Sequence, residues 1–185
     1  MRAVERDGTD EATWRLFTLL VRHTRGAVEV VEDLLGRPVH GRVFAAAELP
    51  RIAPPGLALL ATTGPVLRRH VLLTDSQPPH LPVAVVWSVL VPHRLPATVV
   101  TALHEGDEPL DRLLVRHGLD WSSRPVETET APASAASTPF DWAPPGTPLV
   151  EQARVLHLDH APVATTVDEI PFLVPRDAGI PLVPL

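Results

Sequence analysis

The stretch from Val66 to Val91 constrains the fold of this chain more than any other. Val66–Leu73 and Pro82–Val91 are dominated by valine and leucine, each of strand length, and Thr74-Asp75-Ser76-Gln77-Pro78-Pro79 lies between them. Valine-rich runs suit a pleated, half-buried surface, and a polar run ending in two prolines is turn chemistry. Two runs joined in this way pair antiparallel, so the rest of the chain must complete a sheet around them. Further strands are predicted at Val39–Ala46, Trp121–Glu129, Gln152–Leu158 and Val163–Phe172, the last two forming a hairpin about Asp159-His160-Ala161-Pro162. Gly26–Leu35 reads as one more strand, joined to Val39–Ala46 at Gly36-Arg37-Pro38.

Helices are fewer and clearly punctuated. Trp14, Phe17 and Val21 share a face at helical spacing, predicting a helix over Glu11–Arg22 capped by Thr9 or Asp10. Pro96 opens a second that Gly106 closes, and Pro109 opens a third that Gly118 closes. Residues 49–64 read as a loop with one helical turn. Strand hairpins joined by helices, without βαβ alternation, indicate an α+β domain. The expectation is an antiparallel sheet of about six strands, partly barrel-like, with helices on one side and an internal ligand cavity under flaps.

The 185 residues suit one domain, with a core over about 12–175. A net charge of -6 and a pI near 5.8 argue against nucleic acid as a partner. Cysteine is absent, which removes disulfides and thiol nucleophiles, and the absence of lysine removes Schiff-base chemistry. The longest apolar run, Leu81–Pro92, is about half a membrane span and holds two prolines, so no membrane association is expected. With no apolar signal segment at the N-terminus, the cytoplasm is the default compartment. Residues 131–148, rich in Ala, Pro, Ser and Thr, are either disordered or a functional lid, and the tail from Pro175 is expected along the surface.

Strand alternation singles out two charges. Leu67, Arg69, Val71 and Leu73 share a face, which places Arg69 amid apolar neighbours. Val163, Thr165, Val167 and Glu169 share a face on the last strand, while Asp168 faces the other way with Ala164, Thr166 and Ile170. A buried charge needs a partner. The two could form a structural ion pair or sit at strand ends reaching solvent. Alternatively, an anion-binding arginine faces an acid with a raised pKa in a dry pocket.

The segments Val66–Leu73, Pro82–Pro92, Leu95-Pro96, Asp107–Leu110 and Ala161–Glu169, followed by Phe172-Leu173, together resemble the chorismate pyruvate-lyase family. The similarity runs in order over residues 12–175. It implies the chorismate lyase-like fold, with a buried product pocket closed by flaps, here at 36–64 and 131–148. It also implies Arg69 as the ligand for a ring carboxylate and Glu169 as the catalytic acid or base at the opposite end of the ring. Leu110, Asp111 and Trp87 join the substrate-binding set by position. Asp111 stands where relatives have glycine, and Trp87 where they have a charge, either of which would reshape the pocket.

The resemblance implies cofactor-independent elimination of pyruvate from chorismate to give 4-hydroxybenzoate. The main alternative is a tailoring enzyme of secondary metabolism, such as a polyketide cyclase acting on a polyene. A ligand-sensing domain is the third reading, because the fold resembles the effector domain of some transcription regulators, although no DNA-binding module is legible here. No metal or cofactor is expected: His157 and His160 flank a turn without an evident third ligand. No Gly-x-Ser-x-Gly elbow supports a hydrolase. The expected partner is a carboxylate-bearing or polyene small molecule, and the oligomeric state is left open.

Overall fold

The computed structural model describes residues 26–49, 59–132 and 148–171. The predicted helix at Glu11–Arg22, the centre of the lid at 131–148, most of the loop at 49–64 and the tail lie outside them. The described elements are α1 (Ala27–Leu35), β1 (Val39–Leu49), β2 (Val66–Asp75), β3 (Pro82–Leu90), a 3-10 turn (Pro92–Arg94), α2 (Ala97–Glu105), α3 (Leu110–Arg116), β4 (Trp121–Pro132), β5 (Pro148–Leu158) and β6 (Ala161–Pro171).

The six strands form one antiparallel sheet in the order β1-β2-β3-β6-β5-β4, an open sheet with β1 and β4 at its edges. The strands expected at 66–73, 82–91, 121–129, 152–158 and 163–172 are all present, within a few residues of their predicted ends. The α+β class with helices on one side holds. The strand expected at Val39–Ala46 is also present as the edge strand β1, so that part of the region implied as a flap at 36–64 belongs to the sheet.

One element differs in kind. Gly26–Leu35 is expected as a strand, but Ala27–Leu35 is a helix. Strand alternation would place a carboxylate on each face, Glu29 and Asp33 on one and Glu32 on the other. Helical spacing instead gathers Ala27, Val28, Val30 and Val31 inside while Asp33 stays exposed. Burial of that face outweighs the weak helix preference of valine. The helix ends at Gly36, whose φ of 65° is left-handed and whose N–H donates to the Glu32 carbonyl.

The helices α1, α2 and α3 cover one face of the sheet and bury two separate apolar clusters. In the first, α1 packs through Val28, Val30 and Val31 on Val71, Leu73, Val86 and Ile170. In the second, α2 and α3 pack through Val99, Leu103, Leu113 and Leu114 on Leu67, Leu90, Leu156 and Ala164. A belt of polar side chains runs between them. Arg69 lies opposite Ser88, Ser88 opposite Thr166, and Thr166 opposite Arg154, so four neighbouring strands contribute one polar row to the covered face.

Candidate functional site

At the β5–β6 end of the belt, Arg154 and Asp168 form an ion pair, and the residues are only 3% and 1% exposed. The pair is incompletely satisfied. Arg154 Nε and Nη1, Asp168 Oδ1 and the Thr166 hydroxyl are all buried with no hydrogen-bond partner. Each such group carries a desolvation cost on the order of 1–3 kcal/mol, so four unmet groups side by side are unusual for a structural pair. Desolvation raises the pKa of Asp168, and the Arg154 guanidinium opposes that rise by charge and hydrogen bond.

These groups line a small cavity of about 20 Å³, space for one or two water molecules. Its roof is the start of α1 (Gly26, Ala27, Val28) and the start of α3 (Pro109, Leu110, Asp111), and its floor includes Ser88, Thr166, Arg154 and Asp168. Gly26 has a φ of 138°, and a Cβ there would lie 2.5 Å from Asp111 Oδ2 and 3.6 Å from Arg154 Nη2. Only glycine lets the backbone pass this close to both charges. Among the described residues no side chain caps α1, and its first residues, at the positive end of its dipole, border the cavity.

Asp111 is the second acid of the site. Its residue is half-buried, but its carboxyl is tucked under Gly26 and its pKa is pushed up to about 7. Desolvation is the main cause, and the Asp168 charge adds to it; the Arg112 backbone N–H and the Arg154 and Arg112 charges pull the other way. Outside the cavity a groove of about 310 Å³ runs between α1 and α3, with Val28 and Asp111 lining both spaces. Val115 and Trp121 form apolar wall, Glu29, Glu32, Glu108 and Arg116 add charge, and Arg112 bridges the helices by pairing with Glu32 and donating to the Val39 carbonyl.

The residues singled out from the sequence are dispersed. Leu110 and Asp111 line the cavity. Arg69, 1% exposed, belongs to the same polar row, but Nη1 donates to the Glu108 carbonyl and Nη2 to the Gly106 carbonyl, both at 2.6 Å. It thereby holds the loop that delivers Pro109, Leu110 and Asp111. Burial lowers its pKa to about 10, partly offset by Asp107 and Glu108. Glu169 and Trp87 lie on the opposite face of the sheet. Trp87 packs against His70 and Phe44 with ring centroids 4.2 and 5.9 Å away. Glu169 pairs in register with Val85 and Glu151. Arg69 and Glu169 therefore do not face one pocket, because their positions in the register point to opposite sides.

Sequence reasoning missed Arg154, Asp168, Thr166, Ser88 and Gly26. The signal that finds Arg69 also finds Arg154: Gln152, Arg154, Leu156 and Leu158 share a strand face, with a guanidinium among leucines. Among the described residues, no group of three or more His, Cys, Asp or Glu is placed to hold a metal ion. Within them, no helix is long and apolar enough to cross a membrane.

No protein-family model matches the sequence, and no curated protein matches it. Solved structures do match the fold. The ligand-binding domain of a GntR-family transcriptional regulator from Bordetella bronchiseptica superposes with a TM-score of 0.59 at 18% identity, covering 80% of this chain and 90% of that one. PhnF from Mycobacterium smegmatis gives a TM-score of 0.64 at 16% identity over 88% of this chain and 80% of its own. The effector domain of PhnF alone gives 0.60 at 18% identity, covering 79% of this chain and 88% of that domain. At these identities the likeness establishes the fold, which is the chorismate lyase-like α+β fold.

Proposed function

We propose that this chain is a small-molecule-binding domain whose ligand sits between the sheet and the starts of α1 and α3. The observation that carries the reading is the Arg154–Asp168 pair, buried against a cavity with two donors and one acceptor unmet. A pair that served stability alone would be expected to close its own hydrogen bonds. The fold neighbours support the same reading, since one is the ligand-binding domain of a GntR-family transcriptional regulator and another is the effector domain of PhnF. Sensing of a small ligand is thus favoured over turnover. The test is thermal denaturation of the native chain and of an Arg154→Met, Asp168→Leu double variant against a panel of small metabolites. Compounds that raise the melting temperature of the native chain alone support the site; equal shifts in both proteins sink it.

A second reading, elimination of pyruvate from chorismate, draws support from Asp111. A carboxyl titrating near 7 beside a cavity fits general acid–base chemistry. Charge opposes it: a dianionic substrate would meet two carboxylates and one guanidinium already paired. Incubation with chorismate, following pyruvate and 4-hydroxybenzoate together with Asp111→Asn and Glu169→Gln as controls, separates the readings. Stoichiometric release of both products, lost in a control, would make the chain a lyase. Of the features behind the cyclase reading, Trp87 packs on the face of the sheet opposite this cavity, Asp111 lines the cavity, and the centre of the segment at 131–148 lies outside the described residues.

A further inference from the structure

We infer that the ligand is a compact zwitterion of the free amino-acid class, its carboxylate and ammonium on neighbouring atoms, bound at the Arg154–Asp168 pair with its body in the α1–α3 groove. This rests on the ligand-binding reading above and names the chemistry of that site.

The unmet groups define their complement. Arg154 Nε and Nη1 require acceptors, Asp168 Oδ1 requires a donor, and the Thr166 hydroxyl serves either. An anion alone would satisfy Arg154 but stand against the Asp168 and Asp111 carboxylates, which line the same cavity. A cation alone would leave the guanidinium unmet, and a hydrocarbon would leave every group so. A molecule carrying both charges satisfies each and adds no net charge. Arg154 and Asp168 are in direct contact, so the two ligand groups must also be adjacent to one another. The start of α1, at the positive end of its dipole, lies on the same cavity wall and favours the carboxylate.

Size and approach agree with this class. The cavity has room for one or two waters, hence for one or two polar groups, and no more. The remainder of the ligand then lies in the groove of about 310 Å³, where Val28, Val115 and Trp121 supply apolar wall. The Trp121 indole N–H is buried with no partner, one more donor for a ligand acceptor. Glu29, Glu32 and Glu108 outnumber Arg112 and Arg116 along this groove, which disfavours phosphates and dicarboxylates on the way in.

The experiment is calorimetric titration of the full chain with the free L-amino acids. Each hit is compared with its deaminated acid, its decarboxylated amine and inorganic phosphate. At least one amino acid should bind, with both truncated analogues weaker by about 10-fold or more, and the Arg154→Met, Asp168→Leu variant should not bind it. Should that variant fail to fold, Arg154→Lys keeps the charge and should weaken binding by a similar factor. Binding of the deaminated acid or of phosphate as tightly as any amino acid, still lost in the variant, overturns the ligand class while leaving the site. No response to any amino acid also overturns the class. Amino-acid binding that survives in the variants places the ligand elsewhere and overturns the site, and with it the inference drawn from the Arg154–Asp168 pair.

Discussion

Asp168 and Glu169 are consecutive residues on β6, both buried, and they face opposite worlds. Asp168 enters the helix-covered face, where Arg154 from β5 meets it and four buried polar groups surround a cavity. Glu169 enters the other face, where no cation among the described residues is paired with it. Its register neighbour on β5 is Glu151, and the neighbour of Glu151 on β4 is Glu129, so three carboxylates stand in one row across three strands. Like charges directly opposite in a sheet are destabilising. Glu169 responds by holding its proton: its pKa is pushed up to about 7, first by burial and then by Glu151, against the Trp87 indole, which favours the charged form. Asp168 is thus held by pairing and Glu169 by neutralisation.

The comparison breaks first at the ion pair. Arg154→Met leaves Asp168 alone in the interior and should cost about 3–5 kcal/mol in urea denaturation. The Arg154→Met, Asp168→Leu double variant removes both charges and should recover most of that loss. If the two single losses simply added in the double variant, the residues would be acting independently and the pairing account would fail.

The next largest effects are in pH dependence. Asp111 and Glu169 titrate near 7 in the folded chain, against ordinary values of 3.8 and 4.5. Between those limits the folded state holds protons that the unfolded state releases. Stability should therefore be full at low pH, fall as pH rises through about 7, and level off above it. Asp111→Asn and Glu169→Gln should each flatten part of this slope, stabilising the chain by about 1–2 kcal/mol at pH 8 after allowance for solvent screening. Because the two sit on opposite faces and share no partner, their effects should add. Marked non-additivity, read from denaturation midpoints at pH 5 and 8, would mean that the faces communicate.

How much of this was legible in the sequence follows from what a strand pattern can encode. Period-two alternation located the sheet, and the proline and glycine punctuation located α2 and α3, because those signals are local. It also showed Arg69 among apolar neighbours, and Arg69 is fully buried. Alternation gives faces, but it does not say which faces of different strands coincide. The family resemblance implies one pocket for Arg69 and Glu169, whereas the register aligns Arg69 with Ser88, Thr166 and Arg154 and sends Glu169 to the far side. Alternation also turns Asp168 away from Glu169, and that direction is the one the helices cover. Gly26 could not be recognised while Gly26–Leu35 read as a strand, since its role depends on the helix that it starts.

The finest distinction between the faces lies in how far the carboxylate row, rather than burial alone, raises Glu169. Glu151 is itself raised, by desolvation and then by Glu129, so charge passes along the row from the exposed edge inward. Glu151→Gln removes the direct neighbour of Glu169 and keeps the shape. The Glu169 midpoint, followed by carboxyl NMR, should then fall below about 7 without reaching 4.5, because desolvation is the larger cause and survives the substitution. Lowering that midpoint restores stability above neutral pH, by a few tenths of a kcal/mol to about 1 kcal/mol. A midpoint that does not move would assign the whole rise to burial, and the row would then be three separate glutamates. A midpoint that returns fully to 4.5 would make the row the sole cause, which the burial of Glu169 at 6% exposure argues against.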